Sequence, residues 1–158
     1  MILDQFRLDG KIAVVTGSSR GLGQAAAVGL AEAGADIVGW DRSEVVETEQ
    51  MVTSLGRRFC AIQRDLRASS VADLHEDVTQ IEAEIGQIDI LVNNAGIIRR
   101  ADLLEFAEED WDDVLQINLK SLFFLSQIVA KRMAQRGSGG KIINIASMLS
   151  FQGTRTPP

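Results

Sequence analysis

The chain has 158 residues, 46% hydrophobic and 24% charged, a composition typical of one globular domain with a buried core. Its formal net charge of −6 disfavours non-specific binding to nucleic acid or to an anionic membrane surface. No segment approaches the roughly 18 consecutive apolar residues that span a membrane. The N-terminal stretch MILDQFRLDGK lacks a signal-peptide pattern, and the single cysteine, Cys60, cannot form an internal disulfide. We therefore expect a soluble cytoplasmic protein.

Apolar, β-branched segments alternate along the chain with segments of helical periodicity. In chain order, the pattern predicts strand 11–17, helix 21–33, strand 35–41, helix 43–55, strand 58–65, helix 71–85, strand 88–96, helix 108–136 and strand 141–147. Ser43 is the predicted cap of the second helix, and Ser69 or Ser70 that of the third. Such alternation with short connections indicates right-handed βαβ units. The predicted fold is α/β, a three-layer, doubly wound parallel sheet of Rossmann-like type in one domain over residues 1–158.

The turn between the first strand and the first helix reads VTGSSRGLG. Gly17 permits the tight turn, Gly21 lets the backbone approach a pyrophosphate, and Gly23 lets helix and strand pack closely. The pyrophosphate would lie at the positive end of the helix that begins at Gly21. Asp41 ends the second strand about 20 residues further on, where dinucleotide sites carry an acid. The sequence therefore predicts a dinucleotide-binding domain.

The acid also bears on which dinucleotide is bound. Asp41 is placed to accept hydrogen bonds from both adenosine ribose hydroxyls, and its charge would repel the 2′-phosphate of NADP. Arg20 and Arg42 act in the opposite direction, because either could pair with that phosphate. Arg42 could equally be a solvated surface charge. The acid weighs more, so NAD is predicted and NADP is the alternative.

The motifs TGSSRGLG and NNAG resemble the two cofactor signatures of the short-chain dehydrogenase/reductases. The resemblance runs from about Leu8 to Gly153. The stretches ILVNNAGIIRRADLLEFAEEDWDDV and GGKIINIASMLSFQG are similar to members that act on sugar acids. The resemblance implies an NAD-dependent oxidoreductase that transfers hydride to or from a sugar acid. It assigns Ser18, Ser19, Arg20 and Leu22 to the cofactor phosphates, Asp65 and Leu66 to the adenine, and Asn94 to the nicotinamide-side ribose.

Asn118 in LQINLKS and Ser147 in INIAS match two active-site residues of the same family. Asn118 lies on an otherwise apolar helical stripe, where an amide without partners costs about 1–3 kcal/mol. It is either a satisfied core asparagine or, as the resemblance implies, the residue that holds a water in a proton relay. The resemblance also implies that Ser147 hydrogen-bonds the reacting substrate oxygen. Asp65 allows a second interpretation, as the N-cap of the following helix.

The serine of this family acts with a tyrosine and a lysine, and the 158 residues contain no tyrosine. The resemblance would place that tyrosine just beyond Pro158. We therefore expect a sheet that is incomplete at its C-terminal side and a 158-residue chain that is inactive by itself. The alternatives are a non-catalytic nucleotide-binding or oligomerisation module, or a reductase of another carbonyl substrate of the 3-oxoacyl or gluconate type.

Arg99 and Arg100 follow the NNAG turn, on the loop that borders the predicted nicotinamide site. Since a guanidinium suits bidentate contact with a carboxylate, one of them is a candidate to bind the acid group of a sugar acid. The alternative is a surface ion pair with Asp102 or Glu105.

Apolar residues lie on more than one face of the long helix, off the Asn118 stripe, and the last strand is apolar as well. The off-stripe residues are Leu115, Leu119, Phe123 and Phe124. This pattern predicts a homo-oligomer, and members of the family are commonly tetramers built on this helix.

The sequence offers no metal site. The lone histidine, His75, lies among acids and is predicted to be solvated. No cluster of Cys, His and carboxylate residues has metal-site spacing.

Overall fold

The computed structural model describes residues 2–150 of the chain. Met1 and residues 151–158, which include the end of the predicted domain and of the resemblance, lie outside the described residues. The strands are β1 (Ile12–Thr16), β2 (Asp36–Asp41), β3 (Phe59–Gln63), β4 (Ile90–Asn93) and β5 (Lys141–Asn144). The helices are α1 (Gly21–Glu32), α2 (Val46–Ser54), α3 (Val71–Glu84), α4 (Glu108–Leu115) and α5 (Leu122–Arg136), with short 3₁₀ turns at Ile2–Phe6, Leu103–Glu105 and Met148–Ser150.

The strands form one parallel sheet in the order β3-β2-β1-β4-β5. β1 lies in the middle, with Val14 beside Val38 of β2 and Leu91 of β4. Parallel neighbours need crossover connections, and helices supply them here. The chain changes direction across the sheet at β1, and such a switch point opens a crevice at the carboxyl ends of the strands. The predicted doubly wound α/β fold is confirmed.

Apolar layers cover both faces of the sheet, because successive strand residues point to opposite faces. On one face, Ala13, Val15 and Ile37 pack with Ala27 of α1 and Val52 of α2. The other face packs against α3 and α5 through a larger cluster, which includes Val14, Val38, Trp40, Leu74, Val78, Leu91, Leu125 and Val129. Since β1 is buried at every position, its sequence is apolar throughout rather than alternating.

Two helix predictions need correction. α2 begins at Val46 and its N-cap residue is Val45, so Ser43 does not cap it. The chain bends there before the helix starts. The predicted helix 108–136 is interrupted between α4 and α5 by a π-helical segment, Gln116–Ser121. Such segments occur frequently at functional sites.

The cap of α3 is Ser70. Its hydroxyl accepts from the Asp73 N–H, and the Asp73 carboxylate accepts from the Ser70 N–H, which completes a capping box. The bond from the Ser70 N–H, together with one that the Ser70 hydroxyl donates to the same carboxylate oxygen, holds the pKa of the Asp73 carboxyl below its ordinary value. Asp65 therefore does not cap this helix, and that interpretation of it is wrong. His75, further along α3, is exposed.

Three strands end two or three residues earlier than predicted. β3 ends at Gln63, β4 at Asn93 and β5 at Asn144, because the residues that follow leave the sheet. β5 is an edge strand of the described sheet, and Ile143 and Ile145 are 44% and 47% exposed, so this edge is apolar. Within residues 2–150, none of the helices combines the length and apolar character that crossing a bilayer requires.

Candidate active site

A cavity of about 660 Å³ opens at the carboxyl edge of the sheet. Its lining comes from the residues that follow four strands, as expected for a doubly wound sheet. After β1 these are Gly17, Ser19 and Arg20; at β2, Trp40 to Ser43; after β3, Arg64 to Arg67; and after β4, Asn94 to Ile97 and Arg99.

The glycine turn at the head of this cavity needs its glycines for geometric reasons. Gly17 and Gly21 have φ values of +69° and +61°, which side-chain-bearing residues rarely adopt. A Cβ on Gly23 would overlap the Gly17 carbonyl oxygen, so only glycine permits this contact between α1 and the turn. A Cβ on Gly21 would meet nothing within 4 Å, so the backbone at the start of α1 faces open space. This surface fits a pyrophosphate.

The other residues of the turn differ in their positions. Ser19 and Arg20 line the cavity, whereas Leu22 lies outside its lining and is 76% exposed. Ser18 is fully buried, and its Oγ has no hydrogen-bond partner among the described residues. The Ser18 carbonyl accepts from the Thr48 hydroxyl over 2.7 Å, which ties the turn to α2. The Ser18 side chain therefore belongs to the support of the loop rather than to its cavity face.

Asp41 ends β2 at the cavity wall. Its Oδ2 accepts from the Ser19 N–H and its Oδ1 from the Ser43 N–H, both over 3.0 Å. These bonds orient the carboxylate and join the glycine turn to the β2 loop. Arg20 and Arg42 line the same end of the cavity, so charges of both signs meet where the sequence predicts the adenosine ribose.

The loop after β3 forms another wall. Asp65 Oδ1 accepts from the Arg67 N–H over 2.9 Å, and the Asp65 carbonyl accepts from the Ser69 hydroxyl over 2.7 Å. These local bonds fold the loop back on itself. Asp65 and Leu66 both line the cavity, and the Leu66 side chain is mostly buried.

Sequence reasoning missed Arg64, which also lines the cavity. Its guanidinium makes two hydrogen bonds to the Asp77 carboxylate of α3, at 2.8 and 2.7 Å, and Asp77 is buried. The carboxylate raises the pKa of Arg64 above its ordinary value. No local sequence motif indicates this pair, because Arg64 and Asp77 lie 13 positions apart, one after β3 and the other in α3.

Asn94 joins the NNAG turn to β1. Its Nδ2 donates to the carbonyls of Thr16 and Gly17, at 3.0 and 3.1 Å, and its N–H donates to Thr16 Oγ1. Thr16, which sequence reasoning also missed, accepts from the Ala95 N–H as well. The turn thus ties β4 to β1 and leaves Asn94 at the cavity wall.

Asn118 lies in the π-helical segment and pairs with the backbone of Ile97. Its Nδ2 donates to the Ile97 carbonyl over 2.8 Å, and its Oδ1 accepts from the Ile97 N–H over 2.9 Å. The Asn118 amide thus has the hydrogen-bond partners that it was predicted to need. The residue is exposed, so it is not a core asparagine.

A second hollow of about 500 Å³ brings Asn118 and Ser147 together. Ser147 Oγ accepts from the Leu149 N–H over 3.2 Å, and its own proton is left to donate elsewhere. Ile97 and Arg99 line both this hollow and the larger cavity, so the two spaces adjoin. Apolar side chains make up much of the remaining wall, among them Phe106, Trp111 and Val114.

The two arginines after the turn differ. Arg99 Nε donates to Asp110 over 2.8 Å, and a terminal nitrogen lies 3.5 Å from Asp113. The partners of Arg99 are thus acids of α4, and the prediction of a pair with Asp102 or Glu105 was wrong. Arg100 is exposed and lines neither space described above.

The comparison with known families agrees with this site. The short chain dehydrogenase family matches residues 11–156, nearly the whole chain. The chain belongs to the short chain dehydrogenase family. The resemblance of the glycine turn and the NNAG turn to this family is thereby confirmed. Relatives that are named for sugar acids confirm the likeness to sugar-acid members as well.

The 2-dehydro-3-deoxy-D-gluconate 5-dehydrogenase of Escherichia coli is 58% identical over 153 residues, which are 97% of this chain and 60% of that protein. A solved structure from Agrobacterium tumefaciens, assigned as a 2-deoxy-D-gluconate 3-dehydrogenase with bound NADP, is 48% identical. Its TM-score is 0.83, covering 94% of this chain and 58% of that one. The gluconate 5-dehydrogenase of Burkholderia cenocepacia, solved with NADP and tartrate, is 43% identical with a TM-score of 0.87, covering 98% and 60%.

The chain therefore spans about three fifths of the length of the relatives it matches. The part of the family's length that this chain spans contains the glycine turn, the acid of β2, the NNAG turn, Asn118 and Ser147. Among residues 2–150, no group of three or more His, Cys, Asp or Glu side chains is arranged to hold a metal ion.

Proposed function

We propose that this short-chain dehydrogenase binds a nicotinamide dinucleotide along the carboxyl edge of its sheet and transfers hydride between that cofactor and a sugar acid. The observation that carries the proposal is the bare glycine turn at the start of α1 beside the oriented Asp41 carboxylate. A pyrophosphate is stabilised by free backbone N–H groups at a helix N-terminus, and a ribose by a carboxylate acceptor. The names of the relatives support the sugar-acid part.

The cofactor roles follow the walls of the cavity. Backbone of the glycine turn would hold the diphosphate, and Asp41 the adenosine ribose. When bound, the nicotinamide supplies acceptance or donation of hydride. The residues proposed to hold the dinucleotide are Gly17, Ser19, Arg20, Gly21, Asp41, Asp65, Leu66 and Asn94. Gly23 and Ser18 support the turn, and Leu22 is exposed in the first turn of α1.

Asn118 and Ser147 are the proposed active-site residues. They line the hollow that adjoins the nicotinamide end of the cavity. The Ser147 hydroxyl would donate a hydrogen bond to the substrate oxygen as its charge changes during hydride transfer. Asn118 would hold the NNAG loop through Ile97 and keep the hollow in shape, beside the proton relay that the resemblance implies.

We propose NAD as the preferred cofactor. The Asp41 carboxylate is fixed by two N–H groups, so it cannot easily turn away from a 2′-phosphate. The alternative is NADP, favoured by Arg20 and Arg42 at the same wall and by the two relatives solved with NADP. Calorimetric titration of the protein with NAD and with NADP gives the two Kd values, and their ratio shows which cofactor is preferred.

Arg99 is the proposed contact for the substrate carboxylate, because it alone of the two arginines borders the hollow. Its guanidinium is already paired with Asp110, so an incoming carboxylate would share it rather than meet a free charge. In an active protein, Arg99→Ala should raise KM for the sugar acid by a larger factor than the Kd for the dinucleotide, whose cavity Arg99 also borders. Arg100→Ala is the matched control, and an equal KM effect from both variants would contradict the assignment.

We further propose that the 158 residues bind the cofactor without turnover, because they contain no tyrosine to act as general acid and base beside Ser147. The test is titration of the 158-residue chain with NAD and NADP, followed by NADH absorbance with sugar acids. Saturable binding without turnover is expected. Absence of binding by folded protein would overturn the dinucleotide proposal. Binding with turnover would overturn only the inactivity, and would exclude the non-catalytic module.

A further inference from the structure

The loop after β3 and the π-helical segment are joined by side chains that the catalytic assignments do not use. Gln116 Nε2 donates to the carbonyls of Leu66 and Ser69, at 3.2 and 3.0 Å. The Ser121 hydroxyl donates to the same Leu66 carbonyl over 3.1 Å. Gln116 Nε2 also lies 3.4 Å from Ser121 Oγ, so the four groups form one small network.

The position of this network in the helix is informative. Gln116 and Ser121 are the first and last residues of the π-helical segment, and Asn118 lies between them. A π segment is rare and widens the helix by one residue per turn, so outside contacts are needed to maintain it. Ser121 is 1% exposed, and bonds to buried carbonyls are costly to lose.

The same segment is held from a second direction. Asn118 pairs with both backbone polar groups of Ile97, which follows the NNAG turn at the nicotinamide end. Leu66, by contrast, belongs to the wall proposed for the adenine. One short stretch of helix therefore contacts both ends of the dinucleotide cavity through side-chain amides.

We propose that Gln116 and Ser121 are positioning residues that couple occupation of the adenine wall to the placement of Asn118. This inference rests on the proposed function, since it requires that an adenosine group bind beside Asp65 and Leu66. A ligand there favours the loop conformation whose Leu66 and Ser69 carbonyls receive the network. The network in turn favours the π-helical turn that presents Asn118 to Ile97. Coupling between sites is a difference in free energy and is reciprocal.

An ion-pair connection runs parallel to the network. Asp113 of α4 lies 3.5 Å from a guanidinium nitrogen of Arg67 and 3.5 Å from one of Arg99. The Asp113 side chain is 13% exposed and the two arginines are more exposed, so 1 M salt, with a Debye length of about 3 Å, weakens these pairs without removing them. Measurements at high salt therefore reduce the contribution of the ion pairs relative to that of Gln116 and Ser121.

The test uses AMP, which offers an adenosine group and reaches the adenine wall without the nicotinamide half. Backbone hydrogen–deuterium exchange is followed in peptides that cover residues 97 and 116–121, with and without saturating AMP. The 158-residue chain should show exchange slowed by about fivefold or more in both peptides, the low end of usual allosteric coupling. Gln116→Met, which keeps the length of the side chain and removes both donors, should still bind AMP but lose this slowing.

Gln80→Met is the matched control, because the Gln80 amide donates to Glu84 on the exposed side of α3 and, within residues 2–150, takes no part in the network. It should behave as the original chain. Ser121→Ala provides a second variant and should weaken the slowing, so a Gln116 variant that fails to fold does not decide the outcome. AMP binding without slowed exchange at 116–121, or slowing retained in Gln116→Met, would overturn the coupling alone. No binding of AMP would overturn the proposed adenine site together with the coupling.

Discussion

At the residue scale, Asp41 has two tasks. Both of its carboxylate oxygens accept backbone N–H groups, one from Ser19 in the glycine turn and one from Ser43 after β2. The carboxylate also lines the cavity. The residue that presents a negative charge to the ribose therefore also orders the loops around it, and changing it affects both properties.

Replacing Asp41 should reverse the preference between dinucleotides. We expect Asp41→Ala to weaken NAD binding by about tenfold or more, since hydrogen bonds to charged groups contribute about 1.5–3 kcal/mol. NADP binding should weaken less or improve, because the repulsion of its 2′-phosphate is removed while Arg20 and Arg42 remain. Glu44→Ala removes a nearby charge outside the cavity lining and is the control for net charge. Calorimetric Kd values for both dinucleotides are the measurement, and an unchanged NAD to NADP ratio would count against the role of Asp41.

Cys60 on β3 is a residue whose titration the fold alters. Burial, together with a hydrogen bond and the charge of Glu84, raises the pKa of the thiol to about 12. An unfolded cysteine ionises near a pKa of about 8.5. Above that pH the unfolded chain gains stability by losing the proton while the folded chain does not. This contribution to stability is therefore complete below pH 8.5 and declines as the pH rises toward 12.

The prediction for Cys60 concerns thiol reactivity. Because the thiolate is the nucleophile, iodoacetamide at pH 8.5 should modify the folded chain far more slowly than the chain unfolded in urea. Glu84→Gln removes one charge that raises the thiol pKa, so it should accelerate modification of the folded chain. Equal rates for folded and unfolded protein, followed by mass spectrometry, would show that the thiol is not protected.

At the element scale, two of the three glycines of α1, Gly23 and Gly29, have different surroundings. A Cβ on Gly23 would overlap the Gly17 carbonyl and press on the Asn94 amide, whereas one on Gly29 would meet nothing within 4 Å. Replacing glycine by alanine is therefore expected to destabilise the protein at Gly23 and to stabilise it at Gly29, although both residues lie on α1. The close approach of α1 to the turn is what places the helix N-terminus at the cavity.

We expect Gly23→Ala to destabilise the protein by about 1–3 kcal/mol or more, because overpacking displaces backbone that cannot yield. Gly29→Ala should stabilise it by about 0.5–1 kcal/mol, since alanine replaces a flexible residue in an open helical position. Urea unfolding of both variants beside the original chain gives the two values. Destabilisation by Gly29→Ala as large as that by Gly23→Ala would contradict the packing argument.

At the scale of the whole molecule, the surface formed by Leu115, Leu119 and Phe123 is apolar and lies open along the π-helical segment and its neighbours. These residues are 39%, 59% and 54% exposed, and contiguous patches of this kind usually mark an interaction surface. The β5 edge is a second apolar region, and no other strand among residues 2–150 pairs with its outer side. We propose that a homo-oligomer covers the helical surface.

Sedimentation velocity distinguishes the two regions. Leu119→Glu combined with Phe123→Glu should shift the chain toward monomer, because a buried interface does not accommodate unpaired charges. Gln127→Glu, at an exposed site on α5, is the matched control and should leave association unchanged. If Ile143→Lys on β5 dissolves the assembly and the helical pair does not, association occurs through the sheet edge instead.

Much of the fold was predictable because its determinants are local or periodic. Apolar strands that alternate with amphipathic helices specify a parallel sheet, and the order β3-β2-β1-β4-β5 agrees with that expectation. The π-helical segment was not predictable, since Gln116 to Ser121 has ordinary helical sequence and the deviation depends on bonds to Leu66, Ser69 and Ile97.

The sequence alone determined the glycine turn and the acid at the end of β2 and narrowed the cap of α3 to Ser69 or Ser70, because each depends on residues within a few positions of one another or on the backbone freedom of glycine. Only the tertiary structure decided that Arg64 pairs with Asp77, that Arg99 pairs with Asp110, that Ser18 is buried and that Asn118 binds Ile97. Those partners come from separate elements, and packing of the layers sets the distances between them. The chemistry of a side chain follows from the sequence alone, but the group that it binds depends on how the layers pack.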